Sequence, residues 1–327
     1  MNRRLRFAFM GNPGYGGVVL EALLANNVEV VAVFHASQSK LHHLKKVYRR
    51  YLRSRQRVKE GVRRLSAKMR SFADQRLPVP QFGKDVLEVA QTHGLRVFDG
   101  SFAHHRRCPE ALRALDVDVI LVATFGEFLP RAVLDAPKLA AINMHPSLLP
   151  QYRGGFPEFS VILHGQNSTG VTYHLMEEKF DTGNILLQRE LRIDEGETTL
   201  TLKSRLARLA SEAVPELLHL VEHDNLTGTP QASSNVSYCR LNRDFDRIAS
   251  SLSRQQIRNL INACYDVEAI GEPRFSRNGR DIFALSYGPD GLPFHASDGV
   301  ITFDVVRYRH KIYRGRDLSR LYPMVDS

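Results

Sequence analysis

An apolar, β-prone stretch at residues 5–10 runs into Gly11-Asn12-Pro13-Gly14-Tyr15-Gly16-Gly17, then a helical stretch at 18–24 and a second apolar stretch at 28–34. Strand, glycine turn, helix and strand make a βαβ unit, whose two strands lie parallel in one sheet. That opening constrains the chain to an α/β fold with a doubly wound, mainly parallel sheet. Strands at 95–98, 117–123 and 139–144, with helices at 84–92 and 109–115 between them, continue the alternation. Beyond them the pattern changes. Residues 170–176 and 184–193 alternate in strand fashion, and 198–222 carries a helical period. The polar stretch 224–235, with Gly228 and Pro230, reads as a linker. Strands at 282–287 and 299–306 belong to a smaller β-rich module. The expected division is an α/β region over 1–223, a linker over 224–238 and a β-rich domain over 239–327.

At 327 residues the chain can bury a large core, and its 43% hydrophobic and 24% charged content is that of an ordinary globular protein. No apolar run approaches the roughly 20 residues needed to span a bilayer. Cys108, Cys239 and Cys264 are odd in number, far apart and without C-x-x-C spacing, which points to a reducing cytoplasm and no structural zinc. The net charge of +10 is concentrated in one place. Residues 41–76 hold thirteen Lys and Arg against Glu60 and Asp74, which gives +11 and leaves −1 for the remainder. Two readings of that segment stand side by side: an amphipathic helix with a solvated basic face, or a surface that attracts phosphate, as in RNA or a nucleotide-linked substrate.

The glycine turn does not fit G-x-G-x-x-G, and the second strand ends Val33-Phe34-His35-Ala36-Ser37 without the acidic residue that holds a ribose. It reads as a backbone-shaping turn, against a bound NAD. The chemistry lies in Asn143-Met144-His145-Pro146-Ser147-Leu148-Leu149-Pro150-Gln151-Tyr152-Arg153-Gly154-Gly155. Asn143 and His145 fall at a strand's carboxyl end with side chains on one face, because strand side chains alternate with period two. Ligands bind at that edge in open α/β sheets. An amide that donates to a developing oxyanion, beside an imidazole that shuttles a proton, is the minimum equipment for acyl transfer. Asp181, in the turn Met176–Asn184 between two strands, is a carboxylate able to reach the imidazole and set its tautomer. Glu177 and Glu178 read as solvated charges, His164 and His174 as structural, and Arg153 as either an anion ligand or a loop clamp.

Asn143-x-His145-Pro146-Ser147-Leu148-Leu149-Pro150-x-Tyr152-Arg153-Gly154 together with Asp181-Thr182-Gly183 resembles the signature of the folate-dependent formyltransferases. Gly165 and Gly170-Val171-Thr172 stand between the two motifs at the family's spacing. The resemblance runs from about residue 5 to 222. It continues more faintly into the last ninety residues, which are similar to the small barrel-like C-terminal domain of methionyl-tRNA and sugar enzymes. It implies transfer of formyl from 10-formyltetrahydrofolate to a primary amine, with Asn143, His145 and Asp181 as the catalytic trio and no metal. It also implies a pterin pocket along 124–130, with Phe125, Gly126, Phe128 and Leu129. Ser147, Leu148, Leu149, Pro150 and, from the loop before Asp181, Phe180 complete the implied folate contacts.

The departures bear on the acceptor. Methionyl-tRNA formyltransferases usually carry Asn-Pro-Trp-Pro where this chain has Asn262-Ala263-Cys264-Tyr265-Asp266, and this chain has no tryptophan. They usually follow Arg-Gly with Ala-Ala-Pro, whereas Gly155-Phe156-Pro157-Glu158-Phe159 stands here, similar to the sugar and small-amine branch. The expected acceptor is therefore a small-molecule amine such as a nucleotide-linked amino sugar, with initiator methionyl-tRNA as the alternative through residues 41–76. An NAD-linked oxidoreductase and a non-catalytic RNA-binding protein are the remaining rivals. The expected location is the cytoplasm.

Overall fold

The computed structural model describes residues 4–35, 83–126, 128–239, 246–265, 272–309, 311–318 and 321. The basic segment 41–76 lies outside the described residues. Seven strands form one sheet in the order β3-β2-β1-β4-β5-β6-β7. β1 (Arg6–Gly11), β2 (Glu29–His35), β3 (Val97–Asp99), β4 (Val119–Ala123) and β5 (Ala140–His145) run parallel. β6 (Ser168–Leu175) and β7 (Ile185–Arg192) add two antiparallel strands at one edge.

The central strands read as unbroken apolar runs because each feeds two cores. Phe7 and Phe9 of β1 join Val33, Val119 and Leu121 on one side, while Ala8 and Met10 join Phe34, Ile120 and Val122 on the other. Strand order reverses between β1 and β4, so the crevice outside their carboxyl ends is the place for a ligand. The glycine turn serves packing, as expected: a Cβ on Gly17 would lie 1.8 Å from the Lys84 carbonyl oxygen. The helix expected over 198–222 is two helices, Thr199–Glu212 and Val214–Glu222, with a proline in the first turn of the second. Pro215 cannot donate the interior hydrogen bond that a continuous helix requires.

The smaller region begins with helix Arg254–Cys264, which packs on helix Pro157–Leu163. Thr199 Oγ1, at the start of helix Thr199–Glu212, donates to the Ala263 carbonyl at 2.6 Å and ties a second helix to it. Four antiparallel strands follow in the order β13-β12-β9-β8: β8 (Arg274–Arg277), β9 (Arg280–Ser286), β12 (Val305–Tyr308) and β13 (Lys311–Arg314). A hairpin of β10 (Leu292–Ala296) and β11 (Gly299–Phe303) joins them. The strand expected over 299–306 is interrupted at Asp304, and its two halves enter different sheets. Phe275, Phe294 and Phe303, with centroids 5.2–6.0 Å apart, fill the space between the sheets. The stretch expected as a linker is strapped to the sheet, since Ile185 and Thr229 exchange two backbone hydrogen bonds of 2.8 Å. No helix among the described residues is long and apolar enough to cross a membrane.

Candidate active site

Asn143 and His145 lie on the last turns of β5's pleat, on one face, at the carboxyl edge of the sheet. The antiparallel register of β6 sets His174 opposite Asn143 and Thr172 opposite His145. Asp181 enters from the β6–β7 turn and completes the group. Its Oδ1 lies 3.4 Å from Asn143 Nδ2, 3.7 Å from His145 Nδ1 and 3.6 Å from His174 Nε2. Its Oδ2 accepts the Gly154 N–H at 2.8 Å. The structure thus brings together all three residues of the expected trio and sets His174 against two of them, Asn143 and Asp181.

Backbone carbonyls decide which nitrogens carry protons. His145 Nε2 lies 2.8 Å from the Tyr152 carbonyl oxygen and must donate to it, so the neutral ring presents its Nδ1 lone pair toward Asp181. His174 Nδ1 likewise donates to the Leu175 carbonyl at 2.7 Å, which leaves Nε2 to accept from Asn143 Nδ2 at 3.1 Å. One amide hydrogen of Asn143 is thereby committed to His174, and the other leans on Asp181 over a long 3.4 Å contact. Burial lowers the His145 pKa below its ordinary 6.5, against the opposing pull of the Asp181 charge, so the ring is neutral at rest. Burial also works against the Asp181 charge, but at the acid pH where this carboxyl titrates the charge on a protonated His145, with His174 and the Gly154 N–H, outweighs it and holds the carboxyl at about 2.

The loops around this group are in unusual backbone states. Tyr152 (φ 57°), Phe156 (φ 63°) and Asp181 (φ 55°) all occupy the left-handed region that bulky side chains rarely adopt. Ser237 Oγ accepts the Tyr152 N–H at 2.9 Å, and the Arg153 N–H reaches the Ser237 carbonyl at 2.9 Å. Ser147 is fully buried and gives its hydroxyl hydrogen to the Gln151 carbonyl at 2.7 Å. Gln188 Nε2, from β7, donates to the Leu149 carbonyl at 2.8 Å. Leu149 is buried, whereas Leu148 and Pro150 are half-buried.

Across the crevice, Asn12 Nδ2, just past β1, donates to the Phe125 carbonyl at 2.9 Å and ties down the loop that follows β4. Phe125 and Leu129 are buried and Gly126 has φ 73°. Phe128 and Phe180 meet edge to face with centroids 5.7 Å apart, although 45% and 63% exposed. Two apolar rings in contact and exposed to water make an apolar wall on this side of the crevice.

A family model described as formyl transferase matches residues 5–218, which include every residue of this site up to the segment 229–239. This chain belongs to the formyl transferase family. Methionyl-tRNA formyltransferase of Synechococcus sp. (strain JA-3-3Ab) is 42% identical over 186 residues, 54% of this chain and 57% of that protein. The Ehrlichia ruminantium (strain Welgevonden) methionyl-tRNA formyltransferase is 33% identical over 241 residues, 74% of this chain and 68% of that protein. Among the relatives it matches, the chain thus spans little more than half the length of the Synechococcus protein.

In fold, this chain is similar to an N-formyltransferase from Helicobacter canadensis solved with folinic acid and dTDP-3-aminofucose. That comparison gives a TM-score of 0.62 at 17% identity, covering 91% of this chain and 99% of the other. A second likeness is to a likely sugar N-formyltransferase from Mycobacterium tuberculosis, with a TM-score of 0.56 at 18% identity over 85% and 95% of the two chains. Sequence reasoning missed His174 because the β5–β6 register is invisible in one sequence. It missed Asn12 because the contact with Phe125 spans 113 positions.

Proposed function

We propose that this chain transfers a formyl group from 10-formyltetrahydrofolate to a primary amine, with Asn143, His145 and Asp181 as catalytic residues. The observation that carries the reading is the His145 ring. It is buried, its Nε2–H is committed to a backbone carbonyl, and its Nδ1 faces an ionised carboxylate 3.7 Å away. Such a nitrogen takes a proton readily and gains a counter-ion when it does. The folate supplies a formyl group attached to N10.

As the amine nitrogen bonds to the formyl carbon, its proton passes to His145 Nδ1. Asn143 Nδ2 turns its weakly held hydrogen from Asp181 to the oxygen that gains charge, an effect worth roughly 3 kcal/mol per donor. The N10–carbon bond then breaks, N10 takes the proton back from His145, and the ring returns to its neutral form. Asp181 stabilises the imidazolium in between.

The donor side fits a flat heteroaromatic ring. Phe128 and Phe180 offer apolar faces, and Asn12 Oδ1 is a buried acceptor without a hydrogen-bond partner among the described residues. Supporting a small-molecule acceptor is Phe156, 39% exposed and two residues beyond the Gly154 amide that holds Asp181, where its ring is available to pack on a bound molecule. A second reading, initiator methionyl-tRNA, is favoured by the 42% and 33% identities to methionyl-tRNA formyltransferases and by the +11 charge of residues 41–76. The deciding assay offers purified protein and 10-formyltetrahydrofolate to nucleotide amino sugars, amino acids and charged initiator tRNA, and records product mass. Formylated small amine without formyl-methionyl-tRNA is expected. Robust tRNA formylation overturns the acceptor choice, and no formylated product with any amine overturns the reaction.

A further inference from the structure

We infer that Gln231, from the stretch between the two β-containing regions, is a positioning residue that locks the two site loops together and thereby aims the Asp181 carboxylate. The inference rests on the assignment of Asp181 and His145 above. Gln231 uses both ends of its amide. Its Oε1 accepts from Arg153 Nε at 3.2 Å and from Arg153 Nη2 at 2.6 Å, while its Nε2 donates to the carbonyls of Asp181 at 2.9 Å and Gly183 at 2.8 Å. One side chain therefore spans the loop that supplies the Gly154 amide and the turn that supplies the carboxylate. Arg153 is buried and faces Gln231, which resolves its open reading in favour of a loop clamp.

The clamp has work to do because Asp181 stands in the left-handed region at φ 55°. A non-glycine residue there is strained and persists only where its surroundings over-determine it. Gly183 cannot supply the constraint with a side chain, since a Cβ there would sit 2.0 Å from the Leu175 carbonyl oxygen. The two hydrogen bonds from Gln231 fix the carbonyls on either side of Thr182, and so the direction in which the Asp181 side chain leaves the backbone. A turn free to relax would draw the carboxylate away from His145, and displacements of about 1 Å in such groups cost roughly 10²-fold in rate.

The test compares wild type with Gln231→Leu and Gln231→Glu. Leucine removes both arms. Glutamate still accepts from Arg153 but cannot donate to Asp181 and Gly183. Each protein is followed by its thermal melt, by kcat and KM for 10-formyltetrahydrofolate, and by the ¹⁵N NMR titration of His145 without substrate. Both variants should lose roughly 10- to 100-fold in kcat with KM for the donor changed less than about threefold. The His145 midpoint of the leucine variant should move to lower pH, because a retreating carboxylate no longer favours the imidazolium; the glutamate variant adds a carboxylate of its own and is judged by kcat against KM. Should the leucine variant fail to fold, Gln231→Met, which also removes both arms without adding charge, takes its place in the titration. An unchanged titration midpoint in the folded leucine or methionine variant overturns the inference, whether or not kcat falls. Absence of any formylated product from wild type would instead strike the proposed reaction, and the titration would still judge the clamp.

Discussion

The Asn143–His145–Asp181 group, His145 buried and its two partners half-buried, and the exposed Phe128–Phe180–Phe156 rim sit side by side but are built on opposite principles. The first is set by the backbone. Carbonyls choose the tautomers, a strand register aligns the side chains, and left-handed residues hold the loops where no relaxed chain would go. The second is set by side chains alone, 39–63% open to water and supplied by three loops. A reaction that moves a proton at the same two atoms every time is served by the first arrangement, since preorganised groups need no rearrangement when charge develops. Recognition of one molecule among many is served by the second, because exposed rings change at little cost to the fold.

Substitutions can break that contrast in order of expected size. Asn143→Ala removes the proposed oxyanion donor and should lower kcat roughly 10²- to 10³-fold without raising donor KM, by steady-state assay. A proportionate rise in KM instead would make Asn143 a binding residue. Asp181→Asn should lower kcat about 10²-fold and shift the acid limb of kcat/KM to lower pH, since the lost charge had been raising the His145 pKa. In the wild-type fold, the Asp181 carboxylate contributes stability above its ordinary 3.8, and that contribution fades as pH falls toward about 2; acid melts of the two proteins should converge there.

Smaller effects belong to the rim. Phe128→Ala with Phe180→Ala should raise KM for the folate about tenfold and leave kcat within a few-fold. A collapse of kcat would mean that the rim takes part in the chemistry. Phe156→Asn should raise acceptor KM a few-fold while stability stays within about 1 kcal/mol in denaturant melts, because asparagine tolerates the left-handed state that Phe156 occupies. An unchanged acceptor KM would remove Phe156 from the acceptor site.

How much of this was legible in the sequence follows the same division. The βαβ opening, the parallel sheet and the pairing of Asn143 with His145 are short-range patterns, and period two alone places both side chains on one face. Asp181 was readable as a carboxylate in a turn between two alternating strands. His174 was not, because its place opposite Asn143 depends on an antiparallel register set by the whole β6–β7 edge. Gln231 was not either. It lies 50 positions beyond Asp181, in a stretch whose Gly, Pro and Ser content marks a linker, yet its hydrogen bonds go to the site. The break at Pro215 had a visible signal in the proline itself, whereas the interruption at Asp304 required knowing that β11 and β12 serve different sheets.

The central claim is that His145 carries the proton as a buried, neutral base, and formyl transfer by wild type and His145→Ala from about pH 5 to pH 9 tests it most directly. The account predicts a wild-type kcat/KM with an acid limb centred below 6.5, since burial depresses the His145 pKa. In the variant, kcat should fall roughly 10³-fold and the limb should vanish, with folate binding retained. Near wild-type turnover in the variant, or the same limb surviving in it, would contradict the account.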